Sequence, residues 1–265
     1  INTVLLLQFI PFIERLAKRM VPTRGESSEA SRLEYIDDPM LALTPELTLI
    51  EARKEIMKFG RLCHRMHGMV RDMLLQKEPA QRAATLQRIT KYEEITDRIE
   101  VEVARFLSRT GTDIRDAAHS ERVRGMLAVI GDLERIGDIY YQMGRTIDRK
   151  AEDRLWFSPD QRRQLLELFD LLDAAFTVMH RNLEGHGDQV SLDAAVQAEQ
   201  RINHARDRMR EAHLATLGSD EQNVKAGMVY SDLYSSCEKV GDHLINVSEA
   251  VSGIRSGRPD PVADQ

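Results

Sequence analysis

Four short acidic motifs carry the chemistry open to this chain. Glu134 and Asp138 lie four residues apart in Gly131-Asp-Leu-Glu-Arg-Ile-Gly-Asp138, and Glu238 and Asp242 stand in the same order in Cys237-Glu-Lys-Val-Gly-Asp-His243. Upstream of each lies a second motif, Glu93 with Asp97 and Glu199 with Asn203. Residues four apart on a helix share a face, so each acid pair presents two carboxylates side by side. Isolated, such a pair repels itself. Two antiparallel helices can set their pairs face to face, and the resulting all-oxygen cluster suits magnesium, manganese or iron better than zinc or copper. The alternative is a set of solvated acids answered by Arg98, Arg135 or Lys239, which adjoin the motifs. Either way an acid at the border of a buried seam needs a cation, because an unpaired buried carboxylate is costly. Glu100, and to a lesser degree Glu93, fall within the apolar stripe of their own helical pattern, while Glu134 and Asp138 flank theirs.

The spacing of the motifs marks a duplication. Glu93 precedes Glu134 by 41 residues and Glu199 precedes Glu238 by 39, so the copies are offset by 106 and 104 residues. A glycine stands directly before the second acid in both later motifs, Gly137 and Gly241. Glycine inside a helix costs about 1 kcal/mol relative to alanine. Its repetition predicts close approach of a neighbour to the backbone at both places.

Other reactive residues form no comparable pattern. Cys63, His64 and His67 have a spacing open to a transition metal, but Cys63 falls on an apolar stripe with Met66 and Val70, which favours packing. His180, His186, His204, His213 and His243 are dispersed and none pairs with a nucleophile; a role for His243, beside Asp242, in orienting a metal ligand is open but is the less favoured reading. Met57, Met66, Met69 and Met73 read as core filler. Cys63 and Cys237 show no paired metal spacing and fit a reducing compartment. There is no Gly-rich phosphate loop and no nucleophile elbow, so the chain is not expected to be an enzyme. A net charge of −6 speaks against a nucleic-acid partner.

The elements that must position the acids are helical. Of the 265 residues 42% are apolar and 30% charged, only 5% are aromatic, and period-two alternation is lacking, all of which favours helices over sheet. Six helices are expected, near 46–76, 80–108, 112–151, 158–183, 191–217 and 220–251, the third broken or bent near Ala118 to Ser120. The fold class is therefore all-α, two tandem three-helix bundles at 46–152 and 153–252. Ser158-Pro159 provides an N-cap and a first-position proline for the fourth helix, and Ser191 a cap for the fifth. Residues 22–45, with three prolines and an Asp pair, read as a linker, and 253–265 as a disordered tail. Residues 1–21 begin with an apolar run, too short to span a bilayer, followed by Arg15, Lys18 and Arg19. They read as the end of a transmembrane helix or as a membrane-proximal amphipathic helix, in a chain that starts at Ile1 and is therefore expected to be a piece or a processed product.

The stretch Asp132-Leu-Glu-Arg-Ile-Gly-Asp138 resembles the signature of the PhoU family of phosphate regulators, and the Glu93 to Asp97 and Glu238 to Asp242 motifs resemble its other acidic repeats. The resemblance covers roughly residues 46 to 252. It implies six helices in two three-helix bundles, divalent or trivalent metal ions on the Glu/Asp-x-x-x-Asp motifs, and restraint of phosphate uptake and signalling. The implied ligands are Glu93, Asp97, Glu100, Glu134 and Asp138 in the first bundle and Glu199, Asn203, Glu238 and Asp242 in the second. Asn203 departs from the pattern, since a neutral amide stands where an acid belongs; Asp207, four residues on, is a substitute one turn away.

Residues 3 to 22 and 35 to 60, with Asp37-Asp-Pro39 and Thr44-Pro-Glu-Leu-Thr-Leu49, are similar to the junction in bacterial sodium/phosphate cotransporters, where a PhoU-like domain follows the last membrane helix. This resemblance implies a regulatory domain on the cytoplasmic face of a bacterial inner membrane, partnered by the transmembrane transport domain of its own chain, with a homodimer also open. Two other readings stand beside it. One is a free-standing PhoU-type regulator acting in trans on a transporter and a sensor kinase. The other is a carboxylate-bridged metal storage or oxidase bundle, which would ordinarily supply Glu-x-x-His ligands that the motif helices lack.

Overall fold

Each helix forms where apolar residues recur at three- and four-residue spacing. In a computed structural model the described residues are 45–110, 117–185, 190–215 and 221–252. They form six helices, α1 (Pro45–Leu75), α2 (Pro79–Thr110), α3 (Ala117–Glu152), α4 (Pro159–Glu184), α5 (Leu192–Ala215) and α6 (Glu221–Ser252). On α1 the stripe Leu49, Ala52, Ile56, Phe59, Cys63, Met66, Val70 and Met73 is buried throughout. Ile89, Ile99, Val103 and Leu107 do the same for α2, and Val129, Leu133, Ile136, Tyr140 and Met143 for α3.

The helix ends are held by local hydrogen bonds. Ser158 and Gln161 form a capping box at the start of α4, each side chain taking a hydrogen bond from the other's backbone N–H. Ser191 caps α5 through its hydroxyl, which accepts from Ala194 N–H at 3.3 Å. At the end of α3, Leu155 N–H donates to Lys150 C=O and Arg154 N–H to Ala151 C=O, a Schellman arrangement with Arg154 at φ 54° in the position usually held by glycine. The Arg53 guanidinium, from α1, donates to the carbonyls of Leu183 and Gly185 and satisfies the last turn of α4.

Helices α1, α2 and α3 pack on one another, as do α4, α5 and α6, and the two groups meet through α3 against α6 and α1 against α4. First helix meets first and third meets third, as a duplicated unit would pair. Along α1 against α4, His67 sits between Phe169 and Phe176, with ring centroids at 5.2 and 5.5 Å. Its Nδ1 is hydrogen-bonded to the Tyr140 hydroxyl at 2.9 Å. Along α3 against α6, the buried Asp132 carboxylate takes hydrogen bonds from His243 Nδ1 at 2.8 Å and Asn246 Nδ2 at 3.3 Å.

Two sequence readings turn out otherwise. Of the break or bend near Ala118 to Ser120, the break is not there; α3 is helical without interruption from Ala117, because Ala117 and Ala118 are strong helix formers and His119 packs into the interior. His243, the less favoured candidate for orienting a metal ligand, directs its Nδ1 to Asp132 across the seam between the bundles. The expectations for residues 1–44, 112–116 and 253–265 and for His186 fall outside the described residues.

Candidate metal centre

The mid-helix glycine fixes how closely the acid-bearing helices can approach. A Cβ on Gly137 would lie 3.1 Å from Thr96 Oγ1. A Cβ on Gly241 would lie 3.1 and 3.2 Å from Ile202 side-chain carbons. Thr96 and Ile202 occupy equivalent places in the two copies, each directly before the second residue of the upstream motif. The helices of both pairs therefore touch at the same register, which places α2 against α3 with Glu93 and Asp97 across from Asp138.

In the first bundle that contact gathers carboxylates. Oxygens of Glu93, Asp97 and Asp138 all lie within 4.8 Å of one another. Asp97 and Asp138 are exposed and Glu93 is half-buried, so the cluster is open to solvent on one side. Glu134 borders it. Partial burial, followed by the charges of Asp138, Glu100 and Asp97 and a hydrogen bond to Asp138, pushes the Glu134 carboxyl up to about 7. Glu93 is raised by burial and then by Asp97, Asp138 and Glu94; Asp97 is raised by burial and then by Asp138 and Glu94. Among the described residues no arginine or lysine forms an ion pair with Glu93, Asp97, Glu134 or Asp138; Arg135 points instead to Asp132, at 3.9 Å. Crowded acids without a neighbouring cation hold their protons too tightly, and a bound cation would relieve that repulsion. The donor set is all oxygen and suits a hard ion.

In the second bundle the expected residues meet differently. Asn203 Nδ2 donates to Glu199 Oε1 at 2.8 Å, and Glu199 is buried. The Arg206 guanidinium reaches α6, with Nη2 3.4 Å from Glu238 Oε1. Asp207 does not stand in for Asn203: it is largely exposed and lies beside Arg206 Nε at 3.2 Å, close enough for an ion pair but without hydrogen-bond alignment. Sequence reasoning missed Arg206. Its signal is present, one turn beyond Asn203 on the motif face, but its partner Glu238 is distant in sequence and on another helix.

The cysteines are packing residues. Cys63 is fully buried and its thiol donates to Leu133 C=O at 3.2 Å, while burial pushes both thiols well up. His64 is tied to Asp173 at 2.8 Å and stacks on Phe176. The acid cluster lines neither of two grooves on the described residues, one of which, about 680 Å³, is walled by Leu49, Ile50, Met57, Met126, Val190 and Val251 with Arg53 and Arg122 beside them.

Residues 56–147 match the model of the PhoU domain, a span that holds most of α1, all of α2, nearly all of α3 and all of the first acid cluster. The fold is similar to two solved structures. PhoU from Pseudomonas aeruginosa aligns with a TM-score of 0.68 at 16% identity, covering 78% of this chain and 97% of that one. The phosphate transport system regulatory protein PhoU from Streptococcus pneumoniae aligns with a TM-score of 0.65 at 14% identity, covering 81% and 98%. No curated protein matches the chain. The chain thus matches the PhoU domain over most of its first bundle and is similar in fold to PhoU across both.

Proposed function

We propose that this chain is a PhoU-type regulator of phosphate uptake, non-catalytic, that holds a hard metal ion on the α2/α3 face of its first bundle. The observation that carries this reading is the coincidence of two things: the domain match over residues 56–147 and, within that span, the convergence of Glu93, Asp97 and Asp138. Glu134 and Glu100 stand beside the cluster to complete coordination. The metal would tie two long helices together at one point and stiffen the face they present to a partner. Magnesium, manganese and iron all fit the donor set.

The chain's partner, in this reading, is a phosphate transporter. The apolar run at 1–13 followed by Arg15, Lys18 and Arg19, and the similarity of the stretch 35 to 60 to a cotransporter junction, favour a transport domain in the same polypeptide and a place on the cytoplasmic face of the membrane. The free-standing regulator is favoured by a different observation, that the alignments take in 97% and 98% of the two solved chains. No described helix is long and apolar enough to cross a membrane. The test is radiolabelled phosphate uptake in cells of the source bacterium carrying the native gene, a deletion of the segment encoding residues 45–252, or Asp97→Ala with Asp138→Ala. Uptake that responds differently to phosphate starvation in both altered strains is expected. Identical uptake in all three would refute the regulatory role.

A further inference from the structure

The two bundles can be superposed residue by residue in sequence, and the comparison singles out one reversal of charge. With the offset of 106 residues, Glu93 corresponds to Glu199, Thr96 to Ile202, Asp97 to Asn203 and Glu100 to Arg206. With the offset of 104, Glu134 corresponds to Glu238, Gly137 to Gly241 and Asp138 to Asp242. The equivalence is structural as well, because Gly137 faces Thr96 just as Gly241 faces Ile202. Where the first bundle gathers five carboxylates, the second has three, an amide and a guanidinium.

The reversed position faces the same partner in both copies. Glu100 lies near enough to Glu134 for the two charges to interact, whereas Arg206 Nη2 lies 3.4 Å from Glu238 Oε1, the equivalent of Glu134. Arg206 and Glu238 are each only about a fifth exposed, so the pair is shielded from water. Asn203 turns its amide N–H toward Glu199 and so offers that carboxylate a donor. A hard cation binds several ionised oxygens and gains nothing from an N–H donor or a neighbouring guanidinium.

We propose that Arg206 is the resident cation of the second bundle, standing where a metal ion would stand in the first, so that the chain takes up metal on α2 and α3 alone. This rests on the metal reading of the first bundle for its count, though not for the role of Arg206. Arginine suits the task because its charge is permanent and its planar fork can reach acids on two helices. The second bundle then keeps its α5/α6 contact whatever the metal supply, and only the first bundle responds to it.

The experiment loads the full chain with Mn2+, removes free ion by gel filtration and measures manganese per chain. The expected load of the wild type is lost in Asp97→Ala with Asp138→Ala and unchanged in Glu238→Ala with Asp242→Ala. Asn203→Asp with Arg206→Glu, which restores the first bundle's charges, is expected to double the load, and adding Glu238→Ala with Asp242→Ala to remove the gain. A wild-type load that falls by half in Glu238→Ala with Asp242→Ala overturns the proposal, as does a folded Asn203→Asp/Arg206→Glu chain with no gain. A wild type that takes up no manganese refutes the first-bundle reading, while the gain in the restored variant still supports the role of Arg206. Should that variant not fold, Arg206→Gln replaces it, and hydrogen exchange of the wild type decides: Mn2+-induced protection confined to α2 and α3 supports the proposal, and protection in α5 or α6 overturns it.

Discussion

A single missing methyl group decides how close α2 comes to α3. At Gly137 an alanine Cβ would press on Thr96 Oγ1 at 3.1 Å, and Thr96 cannot easily yield. Its β-branched side chain is restricted at χ1, and its hydroxyl donates to Glu93 C=O at 2.8 Å. Gly131, six residues earlier on the same helix, has nothing within 4 Å of its Cβ position. Opposite signs follow for the same substitution. Gly131→Ala should stabilise by roughly 0.5–1 kcal/mol, the ordinary helix-propensity gain. Gly137→Ala should lose that gain and destabilise by about 1 kcal/mol net, the strain typical of overpacking being somewhat larger than the propensity term. Urea unfolding of the two variants checks this, and Thr96→Ser should recover part of the loss. Stabilisation by Gly137→Ala would show that the helices can part without cost, and the register of the acid cluster would lose its explanation.

At the scale of the helix, the termini and the packed faces make separate predictions. Arg154 holds a left-handed conformation at the end of α3 that glycine adopts without a Cβ clash. Arg154 is exposed, so Arg154→Gly should raise stability by roughly 0.5–1 kcal/mol, visible as a higher melting temperature. The face between α1 and α4 responds to pH. Burial lowers His67 and His180 to about 4, helped for His67 by the charges of His64 and Arg71 against the opposing Asp173 and Asp170, and for His180 by His64 and Arg61. Unfolded, both titrate near 6.5. Between those values the unfolded chain binds more protons, so the stability tied to their neutral state is complete above about pH 6.5 and is lost as pH falls toward 4. For the fully buried His67 imidazole that is about 3 kcal/mol across the window by the usual conversion, and for the half-buried His180 it is less, since solvent screens the charge. The difference in urea midpoint between wild type and His67→Gln should therefore narrow or reverse as pH drops from 6.5 to 5. A difference constant over that range would mean that His67 is not held neutral.

For the molecule as a whole, helices and their grouping were legible because long apolar stripes and the Ser158-Pro159 start are local signals. So was the duplication, since it is written in the spacing of Glu93, Glu134, Glu199 and Glu238. Gly137 and Gly241 also announced a close contact correctly, though not which residues they would meet. What could not be read was whatever depends on partners distant in sequence. Arg206 against Glu238, Asp132 against His243 and His67 between Phe169 and Phe176 each join different helices, and no periodicity encodes such pairings. The same limit explains the ranking of the site residues. Glu134 belongs to the most conspicuous motif, yet Glu93, Asp97 and Asp138 are the three that meet, because the α2/α3 register sets the geometry. Metal binding by this chain depends on that meeting point. Elemental analysis of the chain purified without chelator, beside Glu93→Ala with Asp97→Ala, measures it most directly. Metal retained by the wild type and lost from the variant, with both chains folded by circular dichroism, is the predicted result; equal metal in the two, or none in the wild type after loading with manganese or iron, would contradict it.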